Sequence, residues 1–295
     1  MGRVMIDGHA HACGDLLSPE GILRVLDAND VDKVVLVPGE HQSATTYGLP
    51  NLAKYFPAAE VANVTNAMTR VVVRATRSIK HVEADNEFVF SLTRACPGRV
   101  LQFLWVMLRH GFDAYSAEER HRAWQFKGLK VHQCWDSFDV RGEAFSALVD
   151  FACRKDLPIF VHLMSASQAV GLAEVAARRL DTVFIVGHLY GLEHFVRSSR
   201  PIPNVYFDFS CPDIVSGLRL KAAVDKFGAT RLLLGSDAPY GREGLARGIS
   251  RIQVSDYSES DKTLMLGGNI ARLLRVRIDD VPPNKRIEQA SRPAQ

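Results

Sequence analysis

The chain has 295 residues, of which 47% are hydrophobic and 23% charged, with a net charge of +3. That composition is ordinary for a globular protein, and so small a positive balance is no sign of a nucleic-acid or membrane partner. The five cysteines, Cys13, Cys96, Cys134, Cys153 and Cys211, are scattered without a Cys-x-x-Cys, which argues against a disulfide framework or a cysteine zinc cluster and fits a reducing compartment.

The N-terminal residues Met-Gly-Arg-Val-Met-Ile-Asp lack the apolar core of a signal peptide. No apolar run is long enough to span a bilayer, so the expectation is a cytoplasmic protein. The first apolar run, Val4 to Ile6, leads into His9. A helix follows, with Ser18 as N-cap, Pro19 as its first residue and Ile22, Leu23 and Leu26 on one face. Strand two is Lys33 to Pro38, strand three Gln102 to Met107 and strand four Gly128 to His132. A helix carrying Phe145, Leu148, Val149 and Ala152 comes next, then strand five, Pro158 to His162, and an Ala-rich helix ending near Arg178. Strand six is Thr182 to Gly187 and strand seven Val205 to Phe209, followed by a helix through Leu218, Ala222 and Val224. Strand eight is Arg231 to Asp237. The last helix opens at Ser258-x-x-Asp261, a capping-box pattern, and runs through Leu264 and Ile270 to Leu274.

Near-continuous apolar strands alternating with helices point to a parallel sheet buried on both faces. Eight such units suggest a (β/α)₈ barrel; a doubly wound open sheet is the structural alternative. The expected organisation is one barrel over residues 1–276 and a polar tail over 277–295. Residues 39–100 separate strands two and three and are too long for a simple connection. They read as a helical insertion, Val61 to Val82 and Glu87 to Cys96, placed to act as a lid. Arg70, Arg74, Arg77 and Lys80 recur there at helical spacing, either as a solvated face or as a clamp for an anion.

His9 and His11 follow strand one, His162 closes strand five, His188 follows strand six and Asp237 closes strand eight. Barrel closure brings such strand ends to one rim. Residues i and i+2 of a strand face the same side, so His9 and His11 can aim at one ion, and imidazole nitrogens suit zinc and other late divalent metals. A third histidine and a carboxylate would complete a mixed N/O ligand set with a position left for water, which such a metal activates as a nucleophile.

In these motifs the chain resembles the amidohydrolase superfamily, and within it the amidohydrolase-2 type of hydrolases and non-oxidative decarboxylases. The motifs are Ile6-Asp-Gly-His-Ala-His11, Phe126 to His132, Pro158 to His162, Val186-Gly-His188, Leu234-Gly-Ser-Asp-Ala-Pro239 and Gly268 to Leu274. The resemblance implies a barrel with a divalent metal, zinc being the first expectation. It implies His9, His11, His162 and Asp237 as metal ligands, with Asp237 also shuttling a proton. It implies His188 as the group that polarises water or substrate, or that binds a second metal. Lys130 is open to three readings: a carbamylated bridge between two metals, a substrate contact or charge near the site, and a structural lysine. His132 shares its side of the strand and either lines the pocket or is structural. Tyr240 and Tyr190 are candidate substrate contacts, Cys13 a rim residue and Asp208 a pocket-wall or structural residue. Asp7 is expected to orient the strand end.

Two enzymatic readings share this ligand set. One is hydrolysis of an amide, ester or lactone of a small molecule by a metal-activated water. The alternative is decarboxylation of an unsaturated or aromatic acid, which calls for a cation at the carboxylate: Arg70, Arg74, Lys130 or Arg242. A non-catalytic binding barrel is a third reading, opposed by the intact His/Asp set. The partner expected is a small-molecule substrate, with no nucleic acid and no membrane, and a homodimer is a family expectation only.

Overall fold

In the computed structural model of the chain, residues 4–40, 44–45, 48–76, 85–241 and 243–276 are described. Arg77, Lys80, Arg242 and the 277–295 tail lie outside them. Among the described residues eight parallel strands follow chain order: β1 (Ile6–His11), β2 (Lys33–Val37), β3 (Val100–Trp105), β4 (Gly128–His132), β5 (Ile159–His162), β6 (Phe184–Val186), β7 (Val205–Asp208) and β8 (Leu232–Leu233). Each pairs with its sequence neighbours.

The ring closes through backbone bonds beyond the two-residue β8. Gly8 donates to Leu234 O at 2.8 Å, Ser236 and Asp237 donate to His9 O at 3.1 and 2.8 Å, and His11 donates to Ala238 O at 2.8 Å. This is the (β/α)₈ barrel and not the open doubly wound sheet. Gly235 makes the seam possible, because a Cβ there would collide with the Asp208 carboxylate and crowd His9.

Helices α1 (Pro19–Ala28), α2 (Leu52–Tyr55), α3 (Ala62–Thr76), α4 (Asn86–Ala95), α5 (Ala114–Trp124), α6 (Glu143–Lys155), α7 (Ala166–Arg178), α8 (Leu192–Val196), α9 (Gly217–Phe227), α10 (Gly244–Gln253), α11 (Glu259–Thr263) and α12 (Asn269–Leu273) lie outside the strands or in their connections. Their starts are capped as the sequence suggests: the Ser18 hydroxyl accepts from Gly21 N–H and that of Ser258 from Asp261 N–H, both at 3.1 Å. Such bonds satisfy amide groups that a helix start leaves unpaired.

The barrel interior is filled by Ile6, Val35, Phe103, Phe160, Ile185 and Leu233, with Ile270 and Leu274 against them. A larger apolar layer lies between strands and helices. At 20–33 cal/mol per Å², burial on this scale is the main term holding the fold.

The C-terminal helix departs from the single run expected from Ser258 to Leu274. It breaks into α11, a π-type turn over Leu264–Gly268 and α12. The cause lies in tertiary packing: any Cβ on Gly267 would run into the carbonyl of Val4 at the start of the barrel. Between β2 and β3, α3 and α4 fall on the expected helical stretches Val61 to Val82 and Glu87 to Cys96, and the short α2 precedes them. The described part of α3 ends at Thr76, and Arg70 and Arg74 lie on its exposed side.

Candidate metal centre and pocket

Each strand end presents its side chain for a local reason. On β1, alternation turns Asp7, His9 and His11 to one side. Asp7 lies deepest; its carboxylate accepts from Ser236 N–H at 2.8 Å and His9 N–H at 3.2 Å, and so pins β8 to β1. Burial pushes its pKa up to about 7, against the pull of those bonds. Asp7 therefore orients the strand end, as expected.

Above it, His9, His11 and Asp237 converge, with ligand atoms within 4.8 Å of one another. His9 Nε2 is 3.6 Å and His11 Nε2 3.4 Å from Asp237 Oδ1. The ring of His11 bonds Pro38 O through Nδ1 at 2.8 Å. A carbonyl only accepts, so Nδ1 carries the proton and, in the neutral ring, Nε2 offers a lone pair. Two lone-pair atoms, His11 Nε2 and Asp237 Oδ1, thus face each other across 3.4 Å. Burial lowers the pKa of His9 well below its ordinary value, with Lys130 adding to the effect. Asp237 resists burial: its neighbours His188, His11 and Lys130 outweigh the desolvation and hold its carboxyl below the ordinary range. Neutral imidazole nitrogens and an ionised carboxylate, buried and turned on one another, are a donor set that fits a divalent cation. His9 Nδ1 is also buried without a hydrogen-bond partner, 3.7 Å from Asp208.

Lys130 is fully buried under this cluster. Its ammonium is 2.9 Å from His9 Nε2 and 3.9 Å from the Phe160 ring centroid. Burial lowers its pKa to about 7, against the raising influence of Asp237 and Asp208. It is not among the residues lining the pocket. The structure thus sets Lys130 against a candidate ligand and outside the pocket lining, whereas a substrate contact was one of its three readings from sequence.

His188 sits in the left-handed region, at φ 57°. Its backbone N–H donates to Asp208 Oδ2 at 3.1 Å. Ser210 Oγ bonds that same carboxylate oxygen at 2.5 Å and lies 2.9 Å from His188 Nδ1. The serine has one proton, and the carboxylate takes it. His188 Nδ1–H then donates to Ser210, and in the neutral ring Nε2 offers a lone pair, 3.9 Å from Asp237 Oδ2. Ser210 was missed in the sequence, although Asp208-x-Ser210 repeats the i, i+2 pattern that betrayed His9 and His11.

His162 lies beside this cluster. Its ligand atom groups with those of His132 and Cys134 rather than with the His9 set. The β4–β5 register pairs His132 with His162, and their rings stack at 3.7 Å and 10°. Burial drives both pKa values well down. His132 Nδ1 accepts from Cys134 N–H at 3.2 Å, so Nε2 carries its proton. Burial pushes the Cys134 thiol up to about 12, which disfavours a thiolate ligand. Cys13, likewise about 12, is buried.

The cluster opens into a cavity of about 300 Å³. His11, His132, His162, His188, Asp237 and Tyr240 line its floor. Leu49, Leu52, Met68, Val72, Val73, Trp135 and Ile214 make apolar walls. Tyr240 meets the His11 ring edge-on at 5.1 Å. Tyr190 instead reaches Asn63 with its hydroxyl at 2.5 Å. Among the described residues no lysine or arginine lines the cavity, whereas Glu40 does. Larger surface clefts of about 710, 570 and 500 Å³ hold none of the strand-end histidines.

Solved structures share this architecture. A dihydroxybenzoic acid decarboxylase from Polaromonas sp. JS666, with bound manganese and the inhibitor 2-nitroresorcinol, is 15% identical, with 95% of this chain and 99% of that one covered at a TM-score of 0.64. An amidohydrolase from Burkholderia multivorans with bound zinc is 16% identical, covering 93% and 100% at 0.62. A probable 2-pyrone-4,6-dicarboxylic acid hydrolase from Acinetobacter baumannii is 11% identical, covering 92% and 99% at 0.63. No curated protein matches the chain. The sequence profile of the amidohydrolase family matches residues 6–276, which takes in every strand of the barrel and each of the strand-end histidines. On that match, the chain belongs to the amidohydrolase family.

Proposed function

We propose that this protein is a metal-dependent hydrolase of a neutral, largely apolar amide, ester or lactone. His9, His11, His162 and Asp237 are the residues that would hold the cation, and zinc suits their nitrogen-rich set. Such a cation supplies Lewis-acid polarisation of a carbonyl and makes water a stronger acid.

The observation that carries the hydrolytic reading is the pair of proton acceptors at the pocket floor. The Asp237 carboxyl is held below its ordinary range, and in the neutral ring His188 Nε2 offers a lone pair, by way of the Ser210–Asp208 pair. Two acceptors suit removal of a proton from water. Decarboxylation would instead call for a donor to carbon. His188 then returns the proton to the leaving group, as general acid–base catalysis requires. His132 lines the same pocket and, with its proton on Nε2, is suited to donate to a substrate oxygen; Tyr240, packed on His11, is a further substrate contact. The apolar walls and Glu40 favour a substrate without a free carboxylate.

Decarboxylation of an aromatic or unsaturated acid is the second reading. It draws support from the decarboxylase among the solved relatives and from the His132 donor. The test is a panel of neutral esters, lactones and amides beside aromatic acids, run on zinc- and manganese-loaded protein with CO₂ followed in parallel. Hydrolysis of a neutral acyl substrate is expected; CO₂ release without hydrolysis would overturn it.

A further inference from the structure

The strand-five histidine is gripped from outside the barrel. Asn66, on α3, is buried. Its Nδ2 donates to Leu163 O at 2.9 Å, and its Oδ1 lies 2.8 Å from His162 Nε2. The Leu163 carbonyl can only accept, so the amide nitrogen must face it and the amide oxygen must face the imidazole. That oxygen also only accepts. His162 Nε2 therefore carries the proton, and in the neutral ring Nδ1 is the nitrogen with a lone pair.

Asn66 belongs to a row of contacts between the inserted segment and the barrel. Glu60 accepts from Gly191 N–H and pairs with Arg219, each at 2.8 Å, and Asn63 accepts from the Tyr190 hydroxyl. Asn63 and Asn66, three apart on α3, share one helical face, and Glu60 stands just before the helix start. Two members of the row end on the β6–α8 connection, and the third ends on His162.

We propose that Asn66 is a positioning residue which fixes the tautomer of His162, presents Nδ1 to a cation, and so makes the seating of α3 part of the metal centre. The proposal rests on the reading of His162 as a metal ligand. Partners that orient ligand imidazoles typically change metal affinity by about 10- to 100-fold when removed.

The test compares wild type with Asn66→Leu, which keeps the bulk and removes both hydrogen bonds, and Asn66→Asp, which keeps the acceptor. Long-range ¹⁵N–¹H spectra of the metal-free proteins report the His162 tautomer. Competition with a chromophoric chelator reports zinc affinity. Wild type and Asn66→Asp should show the proton on Nε2. Asn66→Leu should show a mixture of tautomers and bind zinc about 10- to 100-fold more weakly. A wild-type proton on Nδ1, or unchanged tautomer and affinity in Asn66→Leu, would overturn the assignment. His162→Ala separates the two claims. If that variant binds zinc as wild type does, His162 is no ligand, and the spectra alone then judge whether Asn66 sets its tautomer.

Discussion

His188 and Asp237 both lie in the left-handed region, each with φ 57°. A non-glycine residue pays about 1–3 kcal/mol for such a backbone and keeps it only where the surroundings demand it. Here the demand is visible: Asp208 takes the backbone N–H of His188, and the His9 carbonyl takes that of Asp237. Removing the serine hydroxyl leaves His188 Nδ1 without its acceptor and frees the ring to adopt the other tautomer. Ser210→Ala should therefore lower kcat about 10- to 100-fold, with KM little changed, in steady-state assays of the metal-loaded enzyme; an unaltered kcat would remove Ser210 from the mechanism. Replacing His9 or Asp237 by alanine should cost about 100-fold or more in turnover and most of the bound metal. The circular dichroism spectrum should remain that of wild type, since both side chains belong to the strand-end His/Asp cluster and neither is part of the apolar core. At this scale the sequence was readable where the signal is local. His-x-His on a strand declares a shared side by spacing alone, and Asp208-x-Ser210 carries the same signal in weaker form. Asn66 gave none, because its significance arises only when a helix from residues 62–76 meets a strand a hundred residues away.

The inserted segment is the element whose docking matters most. Arg219 is buried and pairs with Glu60 and Glu193. Stripping away one partner of a buried ion pair typically costs about 3–5 kcal/mol, because the opposite charge is stranded. Arg219→Ala should lose about that much in chemical denaturation. Glu60 adds a dependence on pH. Burial pushes its carboxyl up to about 7 from an ordinary 4.5, with Arg219 and Gly191 N–H opposing the rise. The folded pKa lies above the unfolded one, so the folded state binds the proton more tightly. The stabilisation is fully present below the unfolded value and is lost as pH rises through about 7. Hydrogen exchange of α3 amides, corrected for intrinsic rates, should show more protection at about pH 5 than at about pH 8, and Glu60→Gln should flatten the difference. Helical character in this stretch was legible from its lack of breakers. Which face docks, and onto which loop, was not, because α3 exposes Val64, Met68, Val71 and Val72 while burying Asn66, the reverse of the pattern an amphipathic helix advertises.

At the scale of the molecule, the count of eight apolar runs foretold the ring, because strands buried on both faces leave an unbroken trace in sequence. Its closure was harder to read. The eighth strand keeps only Leu232 and Leu233 as regular ladder, and the last helix breaks where Gly267 lets the Val4 backbone approach. Gly267→Ala forces a methyl group into that contact and should destabilise the protein by about 1–3 kcal/mol, seen as a lower thermal midpoint. A wild-type midpoint would mean that the C-terminal helix yields without cost. Where the ring is joined, the carbonyl of His9 holds Ser236 and Asp237 by their amides, while the Asp237 carboxylate faces the cavity and the His9 imidazole lies 3.6 Å behind it. Architecture and chemistry there are written in the same atoms. Warming that slackens the joint should skew both side chains at once while the remaining staves still stand, so activity should fade at a lower temperature than the circular dichroism signal.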